Sequence, residues 1–154
     1  MIKIERILFP TDFSPCAEHA LQYALTFALE QRAKLYVMHV ITDINVPNVF
    51  GLEIYPVLKN YEKIEEEAKN AIQRLIPEHF MKEIEVENII VQGTPFVEII
   101  KCAKKYNVDL ITLATHGRTG ITHMLIGSTA EKVVRMAPCP VLTVKHPEHE
   151  FVLP

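Results

Sequence analysis

The chain has 154 residues, of which 49% are hydrophobic and 23% are charged, so an intrinsically disordered chain is excluded and one compact domain is expected. Sixteen Lys and Arg against nineteen Asp and Glu give a net charge of −3, which argues against a broad basic face for nucleic acid or anionic lipid. The net charge does not exclude a small phosphate-binding site, because backbone amides can hold a phosphate without net positive charge.

The first predicted unit is a strand, a helix and a second strand. Residues 7–9 form a short apolar run closed by turn formers, which predicts a buried strand. Ser14 followed by Pro15 is a helix start, and apolar residues recur at helical spacing to about Arg32. The nearly continuous apolar run of residues 35–41 is typical of a strand covered on both faces, and therefore of a parallel sheet.

The rest of the chain continues this alternation. Residues 42–56 have no clean period and are interpreted as a long connecting loop, which is often functional. The later elements are a helix over 58–75, a strand over 84–92, a helix over 95–106, a strand over 108–114, a helix over 128–136 and a strand over 141–144. The acidic run at 65–67 is interpreted as a solvated helix face and not as a metal site.

Alternating strands and helices predict right-handed βαβ crossovers and a parallel sheet between two helix layers. We expect one domain over residues 1–146 and a polar tail over 147–154. Ligands of such sheets bind at the carboxyl ends of the strands, which points to the loops at 10–14, after Ile41 and at 114–128.

The cysteines and the first residues indicate a cytoplasmic protein. Cys16, Cys102 and Cys139 are too few and too scattered for a disulfide framework or a zinc pair, so reduced thiols are expected. The opening residues carry alternating charges without an apolar core, and no apolar run approaches the roughly 18 residues of a membrane span. We therefore expect no membrane partner.

The glycines are the most informative feature of the sequence. Three of five, Gly117, Gly120 and Gly127, fall between the fourth strand and the next helix. With Ser128 and Thr129 at a helix start, this segment offers free N–H groups, hydroxyls and the positive end of a helix dipole, which suits a phosphate. The alternative is that the glycines shape a turn and Ser128 caps the helix. The segment is neither a P-loop nor a dinucleotide fingerprint.

Other candidate sites have simpler explanations. His123, His146 and His149 are interpreted as solvated side chains and not as a metal site. Ser128 does not lie in the Gly-x-Ser-x-Gly motif of esterases. The Gly-x-x-Gly at 117–120 also matches an RNA-clamping motif, but here it follows a strand in an acidic chain, so no nucleic-acid partner is expected.

Several motifs in order resemble the universal stress protein family, the UspA superfamily. They are Ile-Leu-Phe-Pro-Thr-Asp-Phe-Ser at 7–14, His-Val at 39–40, Thr-His-Gly-Arg-Thr-Gly at 115–120, Gly-Ser at 127–128, Ala-Glu-Lys-Val-Val-Arg at 130–135 and Ala-Pro-Cys-Pro-Val-Leu at 137–142. The nucleotide-binding branch has glycine, two residues, glycine, nine residues, glycine and Ser or Thr. This chain fits from Gly117 onward and has Ala114 at the first position.

The resemblance implies a fold and a site. The fold is a single-domain three-layer α/β/α sandwich with a five-stranded parallel sheet in the order 3-2-1-4-5, Rossmann-like and similar to the adenine nucleotide alpha hydrolases. Asp12 would accept from the adenine or ribose, and Val40 would contact adenine through its backbone. The implied nucleotide-binding residues are Pro10, Thr11, Asp12, Val40, Ala114, Thr115, His116, Gly117, Arg118, Gly127, Ser128 and Thr129.

The resemblance also implies a function. The expected protein binds ATP, with or without Mg²⁺, and acts in the stress response as a nucleotide-dependent dimer joined through the strand at 141–144. It would not be a dedicated enzyme, although slow ATP hydrolysis is compatible with the site. The alternatives are a nucleotide-independent dimeric scaffold, which the alanine at 114 favours, and an adenylyl-transferring enzyme, for which the sequence shows no substrate site.

Overall fold

The computed structural model describes residues 2–42, 55–116 and 127–145. Strands and helices alternate in these residues, and a second, short helix follows the one after β2. The elements are β1 (Arg6–Pro10), α1 (Pro15–Gln31), β2 (Lys34–Ile41), α2 (Tyr55–Leu75), α3 (Glu78–Glu83), β3 (Val86–Gln92), α4 (Pro95–Lys105), β4 (Leu110–Ala114), α5 (Ser128–Met136) and β5 (Val141–Val144). Within the described part of the chain, no helix is long and apolar enough to cross a bilayer.

The strands form one parallel sheet in the order β3-β2-β1-β4-β5, which confirms the expected topology. The chain winds from β1 to β3 in one direction and then returns to place β4 against the free side of β1. Leu8 pairs with Ile111 there. The border between β1 and β4 is therefore the point where the winding reverses, which is where sheets of this class bind ligands.

Two apolar cores lie on opposite faces of the sheet. On one face Phe9 and Val37 pack with residues of α1 and α2, such as Leu21 and Ile72. On the other face the sheet residues include Leu8, Met38 and Ile111, and the helix residues include Ile99 of α4 and Val133 of α5. Because successive side chains of a strand point to opposite faces, the apolar run of β2 supplies both cores. This arrangement confirms the three-layer sandwich.

Helix ends explain most of the differences from the predicted bounds. The strand predicted from 108 begins at Leu110, because Asn107 adopts a left-handed φ of 48° and Val108 donates its N–H to Ala103 O at 2.9 Å, which ends α4. The helix α3 was not predicted, since six residues are too few for a periodic pattern. Ser14 caps α1 as expected, with Oγ accepting from Ala17 N at 3.2 Å.

Candidate functional site

A cleft of about 740 Å³ lies at the carboxyl ends of β1, β2 and β4. Its volume falls in the range of small-molecule sites, roughly 300–1,000 Å³. All predicted binding residues in the described part of the chain line it: Pro10, Thr11, Asp12, Val40, Ala114, Thr115, His116, Gly127, Ser128 and Thr129. Gly117 and Arg118 lie outside the described residues. Contact with a nucleotide stays a prediction for every one of them.

The turn after β1 forms one wall, and its own side chains hold it. Thr11 Oγ1 accepts from Phe13 N at 3.1 Å, and Asp12 Oδ1 accepts from Ser14 N at 3.0 Å. In both bonds a side-chain oxygen accepts from a backbone N–H group two residues later, in place of a backbone carbonyl oxygen. Phe13 has a φ of 62°, in the left-handed region that a bulky side chain rarely adopts. The carboxylate of Asp12 thus shapes the turn as well as facing the cleft.

His39 ties this turn to β2. Its Nδ1 lies 2.8 Å from the carbonyl oxygen of Thr11, and its ring centroid lies 4.5 Å from that of Phe13 at an angle of 37°. Since a carbonyl oxygen can only accept, Nδ1 carries the proton. Thr11 N also donates to Met38 O at 2.8 Å, which continues the β1–β2 ladder by one residue.

The N-terminus of α5 forms the opposite wall. Gly127 is the N-cap, with φ −65° and ψ 151°, and makes no side-chain capping bond. The first N–H groups of any helix lack acceptors within it, so those of Ser128, Thr129 and Ala130 can serve a ligand. The Ser128 side chain is exposed and opens α5 as its first helical residue. The alternative in which Ser128 caps the helix is therefore wrong.

Contacts within the chain favour glycine at position 127. Its N–H donates to Thr115 O at 2.6 Å, so this N–H group is already hydrogen-bonded within the chain and does not serve a ligand. A Cβ at this position would lie 3.1 Å from that same carbonyl oxygen, which is backbone and cannot move easily. Glycine therefore allows the residue before α5 to lie close to the residue after β4, and the amides that remain for a ligand begin at Ser128.

Thr115 and His116 are buried at the end of β4, with 2% and 8% of their surfaces exposed. Thr115 Oγ1 and His116 Nδ1 lie 3.0 Å apart. Thr115 N donates to Val144 O at 3.0 Å, so this residue is bound to β5 as well as to α5. Both residues line the cleft between the β1 turn and α5.

Ala114, which replaces the first glycine of the motif, is the last residue of β4. The non-glycine residues with left-handed φ in the described part of the chain are Phe13, Arg32 and Asn107, so Ala114 has an ordinary strand backbone. Alanine costs no strain here. The site as built thus has no conformational need for glycine at this position.

The described lining contains Asp12, Glu67, His39 and His116 as its ionisable residues, with no Lys or Arg among them. Glu67 belongs to the predicted solvated run; it is exposed as expected but also reaches the rim of the cleft. Lys132 of α5 lies outside the lining, with Nζ 4.7 Å from the ring centroid of Phe96. Positive potential inside the described cleft therefore comes from backbone N–H groups and the dipole of α5.

The cysteines differ in burial: Cys102 is buried, and Cys16 and Cys139 are partly buried. All three are free thiols, and Cys102 is buried among apolar residues of the second core. Burial raises the pKa of the Cys102 thiol to about 11. Burial, and to a lesser degree the charge of Asp12, raises the pKa of Cys16. A protonated thiol is a poor nucleophile and a poor metal ligand. In the residues described, no group of three His, Cys, Asp or Glu side chains is arranged for a metal.

Sequence reasoning did not identify the residues of α2 and α4 that line the cleft, or the role of the His39 side chain. Ile64, Ala68 and Ala71 of α2 and Ile99 of α4 line the cleft, but their spacing identifies them only as helix residues with an apolar face. The side chain of His39 was not assigned a role either. A polar residue within the apolar run of β2 is the signal that could have found it.

The three-layer α/β sandwich, with a cleft at the β1–β4 reversal and a helix N-terminus in its wall, defines a Rossmann-like α/β domain. The model of the Universal stress protein family matches residues 3–145. The chain belongs to this family, which confirms the resemblance drawn from its motifs.

Individual relatives agree. Universal stress protein MJ0577 of Methanocaldococcus jannaschii is 35% identical, over 94% of this chain and 96% of the relative. A solved structure of MJ0577 has a TM-score of 0.81 and covers 96% of this chain and 99% of that one. Universal stress protein UspA of Lactobacillus plantarum is 26% identical with a TM-score of 0.81, covering 94% and 99%. An Archaeoglobus fulgidus universal stress protein solved with dAMP, 23% identical over 93% and 98%, shares the fold at a TM-score of 0.58.

Proposed function

We propose that the cleft binds an adenine nucleotide, with ATP as the ligand, and that the protein acts in the cytoplasm as a nucleotide-dependent dimeric regulator of the stress response. The observation that carries this proposal is the open N-terminus of α5. A helix start without a side-chain cap, facing a cleft at the winding reversal, is a ready anion site.

The phosphates are assigned to the α5 side of the cleft. The N–H groups of Ser128 and Thr129 and their hydroxyls would donate to phosphate oxygens, and Gly117 and Arg118 would complete the site. Adenine and ribose are assigned to the side of Asp12 and Val40, where the apolar wall of α2 is available for a flat base. Ala114, Thr115 and His116 form the floor between the two ends.

The charged residues of the cleft indicate which groups would hold the phosphates. Asp12 and Glu67 oppose an anion, and no cationic side chain lines the described walls, so backbone amides would carry most of the interaction. Mg²⁺ arriving with the triphosphate would reduce the repulsion from Asp12. We therefore expect ATP to bind more tightly with Mg²⁺ than without it.

The fold itself is one that holds adenine nucleotides in other proteins, as the dAMP complex of the Archaeoglobus fulgidus protein illustrates for that protein. At 23% identity this likeness supports the fold alone. The assignment of a nucleotide to this chain rests on its own residues. These are the turn that presents Asp12, Gly127, whose N–H bond to Thr115 O holds the start of α5 at the cleft, and the N–H groups that follow Gly127.

We propose binding without rapid turnover. Phosphoryl transfer needs a carboxylate on the metal, a group that positions the nucleophile and a cation at the γ-phosphate. The carboxylate at the end of β1, Asp12, already accepts from Ser14 N in the turn. We expect ATP hydrolysis far below the roughly 10 s⁻¹ typical of enzymes. The proposal of binding without rapid turnover would be contradicted if the protein hydrolysed ATP at such a rate and Asp12→Asn abolished hydrolysis while retaining ATP binding.

We propose that the dimer forms through β5. This strand lies at the sheet edge, where backbone groups without a partner strand favour pairing with another chain. Val134 and Met136 of the neighbouring α5 are 46% and 56% exposed, which supplies apolar surface beside the strand. A second copy paired antiparallel to the first around a two-fold axis would cover both features.

Calorimetric titration tests the nucleotide assignment. Purified protein is titrated with ATP, ADP, AMP and GTP, each with and without Mg²⁺. We expect ATP to bind at about micromolar Kd, roughly −8 kcal/mol, and GTP to bind at least tenfold more weakly. Native mass spectrometry of the same sample reports whether a nucleotide copurifies and how many chains carry it. If none of the nucleotides binds while the chain remains dimeric, the nucleotide-independent scaffold replaces this proposal.

A further inference from the structure

We propose that His39 is the positioning residue of the turn that presents Asp12 to the nucleotide. This inference rests on the proposed nucleotide function and adds a residue to it. Its starting point is the strain at Phe13: the φ of this residue is 62°, in the left-handed region that a bulky L side chain disfavours. Such a conformation persists only when its surroundings hold it.

The bonds inside the turn do not anchor it to the sheet. Thr11 Oγ1 accepts from Phe13 N, and Asp12 Oδ1 accepts from Ser14 N, so both bonds move with the turn if it moves. Two bonds join the turn to β2. One is the ladder bond from Thr11 N to Met38 O, and the other joins His39 Nδ1 to Thr11 O at 2.8 Å.

His39 acts on both sides of the strained position. Its N–H fixes the carbonyl group two residues before Phe13, and its ring packs on the Phe13 ring at 4.5 Å between centroids. The side chains of Thr11, Phe13 and His39 form one unit, which we call the turn clamp. All three residues line the cleft beside Asp12.

The chemistry of the clamp explains why histidine fits here. Nδ1–H is a donor both in the neutral tautomer that carries its proton there and in the imidazolium, so the bond to Thr11 O survives protonation. The flat ring also presents an aromatic face to Phe13, at a separation typical of favourable aromatic pairs.

Loosening the clamp should reduce affinity for the nucleotide without destroying the fold. If the turn spends only a fraction of its time in the arrangement that presents Asp12, the apparent Kd rises in inverse proportion to that fraction. The core of β2 lies at Leu35, Val37 and Met38, so His39 can change at the rim of the sheet without opening a core cavity.

The test uses three substitutions in the full chain, His39→Leu, His39→Asn and His39→Gln. An Asn side-chain N–H lies where Nδ1–H of histidine lies, whereas that of Gln lies one methylene farther out. We expect ATP affinity to fall at least tenfold for His39→Leu and His39→Gln, and by only about threefold for His39→Asn, which keeps the bond to Thr11 O and loses the ring packing on Phe13. Wild-type affinity in His39→Leu, or a loss in His39→Asn equal to that in His39→Gln, would overturn the proposal.

A second measurement separates the clamp from the nucleotide function. Both His39→Leu and His39→Asn lose the aromatic ring next to Phe13, which by itself shifts nearby signals. In backbone ¹⁵N–¹H spectra without nucleotide, the amide signals of Phe13 and Ser14 should therefore shift much further in His39→Leu than in His39→Asn. If the parent binds no nucleotide but these signals shift as expected, the proposed function fails and the clamp stands. If the signals of Phe13 and Ser14 shift no further in His39→Leu than in His39→Asn, the clamp fails whatever the parent binds.

Discussion

The amide of Gly127 donates to the carbonyl oxygen of Thr115 at 2.6 Å and joins the start of α5 to the end of β4. Gly127 follows Thr115 by twelve positions in the chain and is in contact with it. This contact explains the glycine and places the N–H groups of α5 at the cleft. It also means that a bulky residue at 127 would disturb the site from within, so substitutions of Ser128 test phosphate binding more cleanly.

Ser128 allows its hydroxyl and its amide to be removed separately. Ser128→Ala removes the hydroxyl. Ser128→Pro also removes the N–H but suits the first position of a helix, and the φ and ψ of Gly127 (−65° and 151°) are those preferred before proline. Pro15 and Pro95 already begin α1 and α4 in this way. We expect Ser128→Pro to weaken ATP binding at least tenfold more than Ser128→Ala, about 1.4 kcal/mol, by calorimetry.

The matched control for this pair is Glu78→Pro. It removes the first N–H of α3, whose N-cap Pro77 has φ −59° and ψ 140°, at a helix that does not line the cleft. Its ATP affinity should equal that of the parent. Equal affinities for Ser128→Ala and Ser128→Pro would show that the amide at the start of α5 does not contact phosphate.

Ala114→Gly asks whether the missing motif glycine matters. Because Ala114 has a strand backbone without left-handed φ, glycine relieves no strain there. We expect ATP affinity to change by less than about threefold. The free energy of unfolding should fall by roughly 0.5–1 kcal/mol at most, since glycine loses more conformational freedom on folding than alanine. Calorimetry and thermal unfolding measure the two effects. A large gain in ATP affinity would mean that the alanine Cβ obstructs the ligand.

The fold was predictable from the sequence because its signals are periodic. The helix predicted at 128–136 and the strand at 141–144 coincide with α5 and β5, and the apolar run of β2 indicated a covered parallel strand. The strand order came from the resemblance and is confirmed. Local patterns also identified the residues that directly follow strands, because these must gather at one sheet edge.

The rest of the site depends on contacts between distant residues. Nothing local reveals that His39 Nδ1 lies on Thr11 O, 28 positions away, or that a Cβ at Gly127 would meet Thr115 O. The left-handed φ of Phe13 is likewise contrary to the preference of its residue type and is held by tertiary contacts. Sequence pattern indicates which residues reach the cleft, whereas the reasons for their positions appear only in the fold.

The edge of β5 gives a specific test of the dimer. The carbonyl groups of Pro140 and Val144 accept from Ile111 and Thr115 of the β4 side. By two-residue alternation the backbone of Thr143 faces outward. Thr143→Pro should therefore remove an outer donor without breaking the pairing with β4, and sedimentation at micromolar concentration should show a monomer.

Thr143→Val is the control for the dimer test, because it retains the N–H and the β-branched shape. It should sediment as the parent does. A parent chain that is monomeric, or a Thr143→Pro variant that remains dimeric with an unchanged far-UV spectrum, would rule out pairing through the outer edge of β5.

Thr112 offers a stability prediction inside the sheet. Its side chain is fully buried in β4, and its hydroxyl has no hydrogen-bond partner among the described residues. Thr112→Val keeps the shape and removes the unpaired hydroxyl, so the free energy of unfolding should rise by about 1 kcal/mol. Denaturant unfolding measures it, with the exposed Thr26→Val as the matched control. A loss of stability in Thr112→Val would mean that the hydroxyl has a partner after all, such as a buried water.

Cys102 makes stability depend on pH in the alkaline range. Burial raises the pKa of its thiol from 9.0 to about 11, so above pH 9 the unfolded chain releases this proton more readily than the folded one. The folded state then binds more protons, and the free energy of unfolding must fall as pH rises from about 9 to about 11. Lys34, whose pKa is raised by the hydrogen bonds that it donates to Glu85 and Glu87, acts in the same direction at higher pH. Cys102→Ala should therefore show a shallower decline than the parent between pH 9 and 11 in denaturant unfolding, whatever its stability at pH 7. Parallel curves for the two proteins would show that the thiol titrates normally in the folded chain.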